Sequence, residues 1–286
     1  MAAYLWPVLF ALFVWWFSTG AIIFLNFLPP RTFRWSLAAA TGVLACAVYG
    51  LAVSAADTSL AGTYIAFTST LLIWGWLEIT FYMGAITGPR KVTCAAGCHG
   101  VRHFGHALMA SLWHELAIVA AGLVVAAIAY KAPNDVALMT FLTLWWMHES
   151  ARLNVFLGVP NRAEHILPPH LAYLKSFFRH RSMNLLFPVS ITLSTATLAL
   201  MIQAASVLPA DAPAAHGLVL VSALMCLAIL EHWFLVIPLD ASKLWNWSLA
   251  AHRASAAEQS KDPSRIPGHR SGLNPAPASP GGRYEL

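Results

Sequence analysis

The stretch VALMTFLTLWWMHESARLNVFLG, Val136 to Gly158, decides the fold. Coiled as a helix at 1.5 Å per residue it is about 34 Å long, enough to cross the roughly 30 Å hydrocarbon core of a bilayer. Pro133-Asn134 and Pro160-Asn161 bound it, and proline is a poor continuation of a helix interior. The same run carries His148-Glu149 and Arg152. An acidic residue near the centre of a membrane helix costs about 2.5–3.5 kcal/mol on insertion scales. A helix with such groups needs neighbours, and the flanking sequence has to supply them.

Six further apolar runs do so, near Tyr4–Leu28, Trp35–Ser54, Gly62–Ile86, Phe104–Tyr130, Leu185–Leu208 and Ala214–Ile237. Pro29-Pro30, Gly88-Pro89, Pro209 and Pro238 separate or end them. In hydrocarbon each segment must satisfy its own backbone amides, so long apolar runs of this kind are helices. The expected fold is all-α, a polytopic bundle of about seven transmembrane helices. Composition agrees: of 286 residues 58% are apolar and only 10% charged, against about 25% charged in ordinary soluble domains. Mean hydropathy is +0.64. These values exclude a disordered chain and a soluble enzyme, and four cysteines are too few for a disulfide framework. The first run has no basic residue ahead of it and no small-residue cleavage pattern after it, so it reads as a retained helix, not a signal peptide.

Charge orients the bundle. The first, third and fifth loops hold Arg31, Arg34, Arg90, Lys91, Arg102, Arg162, Lys175, Arg179 and Arg181, whereas the alternate loops hold Lys131 with Asp57, Asp135 and Asp211. Under the positive-inside rule the odd loops and the C-terminus are cytoplasmic and the N-terminus is periplasmic. The +5 net charge therefore belongs to membrane edges, and nucleic acid is not an expected partner. Pro169–Arg181 places Leu171, Leu174 and Phe178 near one face with Lys175 and Arg179 beside it, which predicts an amphipathic helix in the headgroup region. Leu244–Ala250, with Trp245 and Trp247, is expected on the same surface. The transmembrane domain is thus read as 1–252. From 253 to 286 the chain is rich in proline and glycine with mixed charge, a composition that predicts a disordered cytoplasmic tail. Trp74, Glu78 and Pro89 match Trp145, Glu149 and Pro160 in spacing, but so short a match does not support an inverted-repeat transporter.

The informative residues are carboxylates within spans: Glu78, Glu115, Glu149 and Glu231. All four fall about 10–18 Å from the cytoplasmic ends of their helices, taking 1.5 Å per residue, which predicts a shared polar interior. Histidines adjoin three of them, as His114-Glu115, His148-Glu149 and Glu231-His232, and Arg152 lies one turn beyond Glu149. Glu78, Glu115, Glu149, Arg152 and Glu231 can be interhelical hydrogen-bond partners that fix bundle packing. A metal or proton site could use Glu78, His114, Glu115, His148, Glu149, Glu231 or His232. Axial ligation of a tetrapyrrole could use His114, His148 or His232. The di-iron pattern needs Glu-x-x-His on one face, and adjacent Glu and His side chains diverge by about 100° on a helix of 3.6 residues per turn. No catalytic residue is assigned.

The third loop offers Cys94-x3-Cys98-His99-x3-His103-x2-His106. Two cysteines and several histidines this close could bind zinc, but the spacing is not that of a zinc ribbon and Gly97, Gly100 and Gly105 favour a loose solvated loop. Membrane hydroxylases need further histidine clusters, which His165, His170 and His180 do not supply at the required spacing. A retinal Schiff base needs a lysine in the seventh helix, and Lys243 lies beyond Pro238. That reading fails.

Several strings share an order over the whole chain: Trp15-Trp16-Phe17-Ser18-Thr19-Gly20, Leu28–Trp35, Tyr64–Thr68, Met83–Arg90, Leu153–Asn161, Leu171–Arg179, Met183–Ser190 and Leu230–Leu235. Together they resemble the PuhE-like family, photosynthetic complex assembly protein 2 of purple and related aerobic anoxygenic phototrophic bacteria. The resemblance runs from about Trp15 to Trp245 and contains no catalytic motif. It implies a factor of the bacterial inner or intracytoplasmic membrane, linked to the gene cluster of the reaction-centre H subunit. Such a factor helps assemble the reaction centre and its light-harvesting complex, or regulates bacteriochlorophyll supply, without turnover. Its partners would be reaction-centre and light-harvesting polypeptides, or other assembly factors, and membrane lipid. Two alternatives stay open: a membrane metalloenzyme of pigment synthesis using the Glu/His layer, and a proton-coupled transporter, for which the outer halves of the helices look too dry.

Overall fold

The structure is a computed structural model that describes residues 2–95, 97–161, 167–237, 239 and 241–248. The expected tail at 253–286, and Arg162, His165, Pro238 and residues 249–250, lie outside the described residues. Among those described there is no strand. Seven long helices run in order: α1 Ala2–Asn26, α2 Phe33–Ala55, α3 Leu60–Tyr82, α4 Gly100–Ala129, α5 Val136–Leu157, α6 Leu186–Ser206 and α7 Pro213–Phe234. The largest departures from the expected limits are four residues, at the end of α3 (Tyr82, not Ile86) and the start of α4 (Gly100, not Phe104). Helix α3 stops early because Gly84 adopts φ +77°, so that Ala85 and Ile86 both donate back to the Thr80 carbonyl. A left-handed glycine just past the last turn is a common way to satisfy terminal carbonyls.

All the long helices except α5 are apolar and long enough to cross a membrane, and the chain is a multi-pass membrane protein. Helix α5 has the length, but His148, Glu149, Arg152 and Asn154 lower its hydropathy. Its neighbours compensate, since α5 packs against α3, α4, α6 and α7. Outer surfaces fit a bilayer. Trp6, Tyr49 and Tyr130 are exposed towards one end and Trp35 and Trp247 towards the other, as expected of aromatic belts at the two interfaces. Arg34 lies over the Trp35 ring and Lys131 over the Tyr130 ring, each placing its charge beside an interfacial aromatic.

Helix α3 is the hub and packs on α1, α2, α4, α5 and α7. Phe67, Ile73, Trp74 and Leu77 join Leu51, Ile118, Phe141 and Leu220 in one core. Asparagines tie the ends. At the acidic end, Asn134 donates to the Ser54 and Asp57 carbonyls while its own Oδ1 accepts from Val136 N. At the basic end, Asn184 donates to the Asn154 and Gly158 carbonyls and accepts from Leu186 N and Phe187 N.

Two expectations for the basic end are corrected. Pro169–Phe177 is a 3-10 helix, and Leu171, Tyr173, Leu174 and Phe177 are buried against Ala110, Phe81 and Tyr82. Its apolar face therefore covers protein and not the headgroup region, although Lys175 stays exposed. The segment Ala241–Trp245 does not lie flat either. Trp16 donates its indole N–H to the Leu244 carbonyl, and Trp245 donates to the Trp16 carbonyl. Trp247 fills the space above Gly20, where any Cβ would collide with its ring.

Candidate functional site

Three neighbouring helices each send a polar side chain to one point in the basic half of the bundle. Glu78 comes from the last turns of α3, His114 from the middle of α4 and His148 from α5. Each offers one ligand atom, and the three atoms lie within 4.8 Å of one another. His148 Nδ1 is 3.4 Å from Glu78 Oε1. The imidazoles stand edge to face with centroids 5.7 Å apart. Phe81 packs on His114 at 4.5 Å and Trp74 on His148 at 5.3 Å, so aromatic walls fix both rings.

His114 is 1% exposed, yet neither of its ring nitrogens has a hydrogen-bond partner among the described residues. The same is true of His148 Nε2, while the Glu78, Glu115 and Glu149 oxygens that lack a hydrogen bond each lie against His148 or Arg152. Buried polar atoms are almost always paired, so a cluster of unpaired ones marks a place where something else belongs. Arg152 sits at the edge of the cluster. It ion-pairs with Glu115, donates to Ser111 Oγ at 2.6 Å and approaches Glu149 at 3.9 Å. Three carboxylates thus face one guanidinium. In a water-poor interior the surplus negative charge calls for protons or a cation.

Two histidines and one carboxylate, with open positions, form the donor set that suits non-haem Fe(II) or, with a water, zinc. At metal bond lengths of about 2.0–2.2 Å the His148–Glu78 pair already has the spacing of two ligands, and His114, within 4.8 Å of them, must move inward to join them. Glu and His that adjoin in sequence do not converge, as the helix geometry requires; the pairing is between helices, His148 of α5 with Glu78 of α3.

The local chain explains how His114 is held. The α3–α4 connection docks on the side of α4, where His114 N donates to the Thr87 carbonyl at 3.0 Å and Arg90 N donates to the Met109 carbonyl at 3.2 Å. Gly88 makes this approach possible, because a Cβ there would strike the backbone of Met109 and Ala110. In the sequence Gly88-Pro89 reads only as a helix breaker. Its second role has no signature that a linear reading can detect.

A second polar patch lies on another face of α5. Ser150 Oγ donates to Ser190 Oγ at 2.9 Å, and Asn154 Nδ2 donates to the Ser150 carbonyl and to Ser190 Oγ. His232 of α7 is engaged at both ring nitrogens, with the Ala228 carbonyl and Ser150 Oγ, each at 2.9 Å. His232 therefore stands apart from His114 and His148 and acts in packing. Sequence reasoning passed over Ser150, Asn154 and Ser190, since single serines and asparagines in a helix carry no distinguishing pattern.

Glu231 also stands apart. It is exposed on the α7 surface beside α1, where the Trp15 indole N–H donates to its Oε1 at 3.0 Å. Glu78, Glu115 and Glu149 gather around Arg152, while Glu231 lies at the α1–α7 seam, exposed but still within electrostatic reach of Glu78. Helix rotation decides which side a residue faces, and depth alone does not fix it. Beside the trio, a groove of about 590 Å³ opens between α5, α6 and α7, lined by Met139, Trp145, Trp146, Met201 and Met225, with Glu149 at its polar edge.

The chain belongs to the DUF3623 family, described as "Protein of unknown function (DUF3623)", which matches residues 1–256. It is 38% identical over 267 residues to a Rhodobacter capsulatus protein described as "Uncharacterized 30.4 kDa protein in puhA 5'region", covering 90% of this chain and 95% of that one. No solved structure matches.

Proposed function

We propose that this member of the family is a factor for assembling the photosynthetic reaction centre and light-harvesting complex, or for regulating bacteriochlorophyll supply to them, and that it acts without turnover. The observation that carries the reading is the relative in the puhA 5' region, similar over nearly the full length of both chains. The PuhE-like strings support it, since that resemblance links the chain to the gene cluster of the reaction-centre H subunit. On this reading seven helices span the bacterial cytoplasmic membrane, with the N-terminus periplasmic and the basic loops cytoplasmic. Recognition of membrane polypeptides would run along helix faces where small residues let backbones approach. Ala38, Ala39, Ala126 and Ala127 are exposed on such faces. The groove beside Glu149 supports a pigment-handling role, because its volume of about 590 Å³ falls within the roughly 300–1,000 Å³ usual for ligand clefts.

Deleting the gene tests the reading. Reaction-centre and antenna absorbance should fall or lose their balance while respiratory growth stays normal; an unchanged pigment spectrum would refute it. Reporter fusions at Asp57, Asp135 and Asp211 should give periplasmic signals, and cytoplasmic signals at two of them would overturn the orientation.

One observation favours a second reading. The Glu78–His114–His148 cluster supplies donors for a catalytic metal, which fits a membrane metalloenzyme of pigment synthesis. Under that reading the deletion strain accumulates a single pigment precursor, and His114→Ala or Glu78→Ala reproduces the block. Under the assembly reading no single precursor accumulates.

A further inference from the structure

The α3–α4 loop, expected to be loose, closes on itself instead. Cys94 Sγ and Cys98 Sγ each lie 3.5 Å from His106 Nδ1, and His103 Nδ1 lies 3.3 Å from Cys94 Sγ. The ligand atoms of Cys94, Cys98 and His106 are all within 4.8 Å of one another, and His103, which touches Cys94, stands outside that group and would have to turn inward to complete four ligands. Zinc bonds of about 2.3 Å to sulfur and 2.0–2.1 Å to nitrogen, opened to the tetrahedral angle, set a sulfur–nitrogen edge of about 3.5 Å. The observed contacts have the length of that edge. They follow from the fold: His103 and His106 are three residues apart in the first turns of α4, hence on one face, and Gly97 and Gly100, at φ +79° and +63°, turn the loop so that both thiols face them. Neither cysteine is in a disulfide.

The surroundings are built rather than solvated. His103 is 6% exposed and lies between Phe156 of α5 and Phe177. Cys94 N donates to Ser176 Oγ at 2.9 Å, and Ser176 Oγ donates to the Tyr173 carbonyl at 2.7 Å. The cluster therefore joins the start of α4 to the Pro169–Phe177 segment. It lies at the basic end, distinct from the Glu78–His114–His148 trio, which is reached two to three turns further along α4.

We propose that Cys94, Cys98, His103 and His106 form a structural zinc site that fastens the α3–α4 loop and the Pro169–Phe177 segment into one cap over the basic end of the bundle. All ligands come from the protein, as in closed, non-catalytic zinc sites. The proposal is independent of the assembly reading, apart from the cytoplasmic orientation that keeps the thiols reduced.

Full-length protein purified in detergent, without added metal or chelator, tests it. Elemental analysis should find about one zinc per chain, as a closed four-ligand site requires. Replacing zinc with Co(II) should give an intense thiolate-to-metal charge-transfer band in the near ultraviolet. The pair Cys94→Ser and Cys98→Ser should lower bound zinc at least tenfold and remove that band, while the thiolate band persists in His114→Ala and His148→Ala, whose site holds no cysteine. The cobalt spectrum of the unmutated protein decides the case even where the double variant does not fold. Zinc at background with no thiolate band would overturn the proposal. So would an intact mass lighter by two hydrogens, which marks a disulfide, or zinc that survives loss of both cysteines but disappears with His114.

Discussion

Helix α5 presents two polar faces that are treated in opposite ways. On one, Ser150 and Asn154 meet Ser190, Asn184 and His232 in a chain of hydrogen bonds that leaves Asn154 Oδ1 over. On the other, His148, Glu149 and Arg152 meet Glu78, His114 and Glu115; Arg152 pairs with Glu115, but both His114 nitrogens and His148 Nε2 have no partner among the described residues. Both faces lie in the same helix and the same solvent. The difference teaches that polarity in a membrane bundle is not one category: a closed network holds helices together, whereas an open one is unfinished without a ligand, a proton or a conformational partner.

The sharpest way to break this contrast is at Arg152. Replacing Arg152 with Met removes the partner of Glu115, and breaking a buried ion pair from one side costs about 3–5 kcal/mol. Thermal unfolding in detergent, followed by helical circular dichroism, should show that loss, and Arg152→Met with Glu115→Gln should recover most of it. A single variant as stable as the unmutated protein would mean that the open face carries no ionic pairing. Next is Asn154→Ala, which removes the two hydrogen bonds donated to the Ser150 carbonyl and Ser190 Oγ; at about 1–3 kcal/mol for buried groups left unsatisfied, the loss should appear in stability while the pigment phenotype stays normal. The smallest effect is expected from paired changes of two histidines. His232→Phe takes from Ser150 Oγ one of its two side-chain partners, Ser190 remaining, and should cost about 1–2 kcal/mol. His114→Phe removes a group with no partner, which can be neutral or stabilising, so its melting temperature should stay level while its pigment phenotype changes. Equal destabilisation by the two would erase the distinction between the faces.

Much of this was legible in the sequence, for a physical reason. Apolar runs and prolines report the requirement that each spanning segment satisfy its own amides, and this located every long helix to within four residues. The charged residues Glu78, Glu115, Glu149 and Arg152 announce themselves by their cost in lipid. What a linear reading lacks is helix rotation. It placed Glu231 with the trio, though α7 turns that side chain towards Trp15. It read correctly that His114-Glu115 and His148-Glu149 diverge on their helices, but not which helices supply the partners: His148 meets Glu78 of α3. The amphipathic pattern of Pro169–Arg181 was correctly seen as one-sided, but a pattern cannot say whether lipid or protein covers the apolar side. Gly88 was hidden because its meaning depends on α4 lying beside it, and the Cys94–His106 loop was legible as a set of candidate zinc donors but not as a closed turn, which the start of α4 makes.

The seam between α1 and the last described residues has a consequence for how the protein is made. Trp15 and Glu231, which share a hydrogen bond, are 216 residues apart, and Trp16 is bonded to residues later still, at Leu244 and Trp245. At a synthesis rate of about 5–20 residues per second, the first helix to leave the ribosome waits roughly 10–40 s for these partners. During that interval Trp15 and Trp16 present free indole N–H groups and Gly20 an empty notch, all on the flank that Trp245 and Trp247 later cover. Translation itself thus supplies a clock, and Leu244, Trp245 and Trp247 act as the clasp that closes α1 into the bundle.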